Sequence, residues 1–109
     1  RSPGMNYKHY APKGEVTFVT GPRAAQEIAR LYDAADGRAA ILAFSQADYG
    51  ARRVDRLKNA PGELFAALRQ LDEDGMETIY AEDVPTTGVG LAVMNRLMRA
   101  AAFRVVEAQ

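Results

Sequence analysis

The feature that most constrains folding is a change of hydrophobic period that recurs along the chain. Short β-branched or continuous apolar runs alternate with segments whose apolar residues return every three to four positions. Residues 15–20, Glu-Val-Thr-Phe-Val-Thr, alternate as a strand does. Gly21-Pro22 then turns the chain, so Thr20 or Gly21 is expected to cap a helix carrying Pro22 in its first turn. Ile28, Leu31, Tyr32 and Ala35 form one apolar helical face that ends before Gly37. Residues 39–44, Ala-Ala-Ile-Leu-Ala-Phe, are continuously apolar, as in a strand covered on both sides. A polar loop over 45–52 leads to a brief strand over 54–57.

The pattern then repeats. Leu64, Phe65, Leu68 and Leu71 mark a second amphipathic helix ending near Gly75, and 77–82 read as a strand. A turn-rich loop over 83–88 precedes a third helix reaching about residue 102, with Leu91, Met94, Leu97, Met98 and Ala101 inward. Residues 104–107 close as a short strand. Such alternation predicts an α/β fold, a Rossmann-like three-layer sandwich with a mainly parallel sheet of about five short strands. Ile41, Leu42, Phe44, Leu31, Leu68 and Met94 are the expected core. A chain of 109 residues supplies one such domain, burying roughly 60–70% of its unfolded surface.

Charge and composition exclude several functions. Fourteen basic residues balance fourteen acidic ones, so no net field draws nucleic acid or an anionic membrane to the chain. The absence of cysteine rules out disulfides and thiolate metal sites and fits a reducing cytosol. No apolar run approaches the ~20 residues of a membrane span. The chain opens at Arg1 instead of methionine, which suggests a processed or excised piece.

Enzymatic motifs are incomplete. Gly88-Val-Gly90 begins like a dinucleotide fingerprint, but Val93 stands where the third glycine belongs. Gly21-Pro22-Arg23 lacks the Lys and Ser/Thr of a phosphate loop. Ser45 has no nucleophile-elbow context and no obvious base. Asp72, Glu73 and Asp74 read as a solvated helix end. Glu82 and Asp83 sit where open parallel sheets bind ligands, although capping of the 86–88 turn is the simpler role. Asn95, Arg96 and Arg99 share the polar face of the third helix, a possible interdomain surface.

Residues 2–12, Ser-Pro-Gly-Met-Asn-Tyr-Lys-His-Tyr-Ala-Pro, precede all of these elements. Two prolines disfavour helix and Gly4 permits a bend, so the segment is expected to run extended. It displays Tyr7, His9 and Tyr10, side chains with an apolar body and a polar tip, suited to lying on a ligand, a partner or their own domain.

With Lys13, this stretch resembles the interdomain linker of two-domain threonylcarbamoyl-AMP synthases, which begin the threonylcarbamoyladenosine modification of tRNA. It departs from the family's usual form at Asn6, where a lysine is usual. Two further stretches are similar to the family in the same order. They are Leu-Phe-Ala-Ala-Leu-Arg-Gln-Leu-Asp over 64–72 and Gly-Val-Gly-Leu-Ala-Val-Met-Asn-Arg-Leu-Met-Arg over 88–99.

The resemblance implies a linker over 1–14 and a C-terminal accessory domain over 15–109. It implies that the whole enzyme condenses threonine, bicarbonate and ATP into threonylcarbamoyl-AMP with release of pyrophosphate, assisted by magnesium. Catalysis would then belong to a preceding YrdC-like domain, so this piece alone is expected to be inactive and to hold no cofactor itself. Tyr7, His9 and Tyr10 would cover ATP or threonylcarbamoyl-AMP at the mouth of that domain's pocket. The implied setting is cytoplasmic, with no direct contact to nucleic acid or membrane. The alternative is a freestanding Rossmann-like module that binds a nucleotide or partner without catalysis.

Overall fold

A computed structural model describes residues 13–57, 61–82 and 104–108. Its elements follow the order β1 (Glu15–Thr20), α1 (Ala24–Ala34), β2 (Ala39–Ala43), β3 (Val54–Arg56), α2 (Pro61–Glu73), β4 (Thr78–Glu82) and β5 (Val105–Glu107). The five strands form one sheet in the order β3-β2-β4-β1-β5, and every pairing is parallel. The expected third helix, with Met94 and its apolar face, lies outside the described residues, as do the side chains of Leu64 and Phe65.

Strand order explains the layers. The chain moves from β1 to β2 in one direction across the sheet, and from β3 to β4 in the other. Right-handed crossovers running in opposite directions must place their helices on opposite faces. The packing agrees. On one face Ile28 of α1 meets Val19, Ile41, Ala43 and Tyr80. On the other, Leu68 and Leu71 of α2 meet Val16, Phe18, Ala40, Leu42, Ile79 and Ala81. Neighbouring strand residues therefore divide between two cores, which is why β2 is apolar at nearly every position.

Both helix ends have local causes. Gly21, at φ 104, sits so close to the Ala108 carbonyl that a Cβ there would lie 2.0 Å from its oxygen. This tight turn delays α1, whose N-cap is Arg23 without any side-chain cap, so neither Thr20 nor Gly21 caps it. At the far end of α2, Met76 N–H donates to Leu71 O (3.0 Å) and Gly75 N–H donates to Asp72 O (3.0 Å). With Gly75 at φ 78 this is a Schellman motif, and Met76 packs in the same cluster as Leu71.

Two expected core residues are only half-buried. Leu31 lines an open cleft beside α1, and Phe44 follows the last residue of β2 and so escapes coverage on both sides. The acidic end of α2 is also less free than expected. Asp74 pairs with Arg53 (2.8 Å), which also holds Asp55 (3.0 Å), tying α2 to β3.

Candidate functional site

The carboxyl edge of the sheet holds its most concentrated polar chemistry. Parallel neighbours such as β2 and β3 usually need a helical crossover, but here an irregular segment of residues 44–53 joins them. Something must replace the missing helix. Glu82, the last residue of β4, is 5% exposed and does so. Its Oε1 accepts from Phe44 N–H (2.8 Å) and Ser45 N–H (2.9 Å). Its Oε2 accepts from the Ser45 hydroxyl (2.9 Å) and the Tyr49 hydroxyl (2.5 Å).

The loop completes itself around that carboxylate. Tyr49 is buried against the α1 face, and Arg56 lies 6.0 Å above its ring. Arg56 also donates to the carbonyls of Ser45 (2.6 Å) and Ala47 (2.5 Å). Burial first, and Glu82 second, push the Tyr49 phenol above its ordinary value, so it stays a donor at neutral pH. Ser45 thus has a carboxylate partner that its sequence context hides. Both oxygens of Glu82 are engaged by the loop, so among the described residues its role is to fasten 44–53; Asp83 and the 86–88 turn lie outside them. Chemically this is a clamp and not an exposed acid or base.

The opposite, amino edge receives the chain as it enters β1. Lys13 N–H donates to Asp72 Oδ1 (3.0 Å), and Glu15 N–H donates to Glu77 O (3.0 Å). Gly14 lies between them, where a Cβ would stand 2.5 Å from the Met76 carbonyl oxygen. Only glycine lets the residues ahead of β1 approach the α2–β4 turn this closely.

Tyr7, His9 and Tyr10, like Asn95, Arg96 and Arg99, lie outside the described residues. The described residues hold no group of three or more His, Cys, Asp or Glu side chains placed to bind a metal ion. Among them no helix is long and apolar enough to cross a membrane.

Comparison with known proteins decides the family. Residues 1–102 match the model of the threonylcarbamoyl-AMP synthase C-terminal domain. The chain belongs to that family. A threonylcarbamoyl-AMP synthase of Bacillus subtilis (strain 168) is 40% identical over 114 residues, covering 96% of this chain and 33% of the relative. The chain therefore spans about a third of the length of the curated relative it matches. The crystal structure of Pyrococcus abyssi Sua5 complexed with L-threonine superposes at TM-score 0.76 and 34% identity, over 99% of this chain and 34% of that one. A C-terminal Sua5 domain from Pyrococcus horikoshii superposes at TM-score 0.64 and 34% identity, over 90% of this chain and 100% of that one. The relatives' greater length supports a preceding domain of the same protein as the partner of this C-terminal domain.

Proposed function

We propose that residues 1–14 are the active-site-capping linker, and 15–109 the accessory domain, of an L-threonylcarbamoyladenylate synthase. The whole enzyme would join threonine, bicarbonate and ATP into threonylcarbamoyl-AMP and pyrophosphate, in the cytoplasmic synthesis of threonylcarbamoyladenosine on tRNA. The observation that supports this reading is the family match, which runs over residues 1–102 and so takes in the segment ahead of β1. ATP and its magnesium ion would be held by the preceding domain, where the metal would supply charge neutralisation at the phosphates. Binding in this way, the present chain contacts neither tRNA nor membrane.

The task of the linker follows from the product's chemistry. A mixed carbamic–phosphoric anhydride hydrolyses in water, so its pocket needs a cover while the intermediate waits. Tyr7 and Tyr10 offer flat apolar bodies for the nucleotide, and His9 holds the strip or a substrate proton in place. The root at Lys13–Gly14, fixed to Asp72 and against Met76, sets where the strip leaves the accessory domain. Asn95, Arg96 and Arg99 would dock the domain on its catalytic neighbour.

Threonine- and bicarbonate-dependent pyrophosphate release from ATP tests this. The 109-residue chain alone should release none, and the full-length protein should turn over. Full-length Tyr7→Ala and Tyr10→Ala should lose about tenfold or more in turnover or leak adenylate into solution. Wild-type turnover and retention by both variants would remove the capping role.

A further inference from the structure

Between the C-terminal half of α1 and the amino ends of β4, β1 and β5 lies a cleft of about 440 Å³. Its floor is unusual. Thr17 and Tyr80 are register partners on β1 and β4 and both line the cleft. They are 6% and 8% exposed, yet among the described residues neither hydroxyl has a hydrogen-bond partner. Buried hydroxyls almost always find partners, because leaving one unpaired costs its hydration. Two side by side on the floor of one open cavity point to a partner from outside the described residues. Burial first, then the charge of Glu15, raise the Tyr80 phenol above its ordinary value. It is therefore neutral and able both to donate and to accept.

The walls and rim narrow the ligand's chemistry. Leu31 and Val106 supply apolar sides. At the rim, Glu15 pairs with Arg104 (3.2 Å), which neutralises the one cationic side chain of the lining. Asp36 and Glu77 remain, with no cationic side chain paired to them among the described residues. Three carboxylates against one guanidinium leave two negative charges over an apolar cleft with a polar floor.

We propose that this cleft binds a short aliphatic amine carrying a second polar group. The ammonium sits between Asp36 and Glu77, the carbon chain lies along Leu31 and Val106, and the far polar group meets the Thr17 and Tyr80 hydroxyls. Glu77 shares its backbone carbonyl with the N–H of Glu15 at the linker root, so the site adjoins the point where the linker enters the domain.

The C-terminal domain of the Pyrococcus horikoshii relative has been solved on its own, so the 109-residue chain is a suitable sample. Titrating 1,4-diaminobutane and 4-amino-1-butanol while recording ¹H–¹⁵N spectra should give saturable shifts at Thr17, Leu31 and Tyr80. Asp36→Asn with Glu77→Gln, and separately Tyr80→Phe, should each weaken binding about fivefold or more. Glu73→Gln on α2 should not change it. Tyr80→Phe should also keep or raise the melting temperature, since it removes an unpartnered buried hydroxyl. Absence of saturable shifts up to about 10 mM would overturn the proposal. Equal binding of 1-butanol, or affinity unchanged in the rim variant, would also overturn it.

Discussion

At the scale of single residues, Glu82 is the most consequential side chain described. A buried carboxylate is tolerable only when its lone pairs are filled, and here four donors fill them. Glu82→Gln keeps one oxygen for the two backbone N–H groups. It turns its amide toward Ser45 and Tyr49, whose hydroxyls can rotate to accept. That exchange should cost about 1.5 kcal/mol, whereas Glu82→Ala strands all four donors and should cost about 3 kcal/mol or more. Tyr49→Phe removes one bond to a charged group and should cost about 1.5 kcal/mol. Urea midpoints of the three variants check the order, and an Ala variant as stable as Gln would refute the clamp. Sequence reasoning places Glu82 correctly at a strand's end. It cannot see a partner such as Ser45, 37 positions away, because that contact exists only after β2 and β4 pair.

At the scale of elements, turns and helix ends separate two uses of glycine. Gly21 combines φ 104 with a Cβ path blocked by the Ala108 carbonyl, so Gly21→Ala meets both backbone strain and collision. Gly75 has φ 78 but nothing within 4 Å of a Cβ, so Gly75→Ala meets strain alone. Losses of about 3 and about 1 kcal/mol respectively are expected in thermal or urea unfolding. Equal losses would mean that the β1–α1 turn relaxes away from β5.

The tie between β3 and α2 adds a pH signature. The hydrogen bond from Arg53, and then that from Gln70, hold the Asp74 carboxyl below the usual carboxylate range. The unfolded chain thus takes up this proton at higher pH than the folded one. The stabilisation is complete above the unfolded value near 3.8 and disappears as pH falls through the lower folded value. The melting-temperature gap between wild type and Asp74→Asn should narrow between about pH 6 and about pH 3. A constant gap would show that the Arg53 contact does not persist in solution. Strands and helices were legible because two buried faces force apolar runs and 3.6-residue periods. The order β3-β2-β4-β1-β5 was not, since crossover direction leaves no mark on composition.

At the scale of the molecule, the proposed capping role gives the domain and the segment ahead of it different physical work. Both described cores are built from residues between Val16 and Ala108, on the two faces of one sheet. On the proposed reading Tyr7, His9 and Tyr10, side chains with an apolar body and a polar tip, serve a surface outside the domain. Among the described residues, the tie furthest toward the amino terminus is the Lys13–Asp72 hydrogen bond, with Gly14 seated on Met76. A chain beginning at Lys13 should therefore unfold within about 0.5 kcal/mol of the 109-residue chain. Deleting two residues further removes the Lys13–Asp72 contact and the seat of Gly14, and it should cost about 1 kcal/mol more. The same first deletion, made internally in the full-length protein, should abolish pyrophosphate release while leaving the accessory domain's own unfolding unchanged. Substantial destabilisation on removing residues 1–12 from the isolated domain would mean that the aromatic strip anchors its own domain. Its role as a cover for the neighbouring active site would then have to be abandoned.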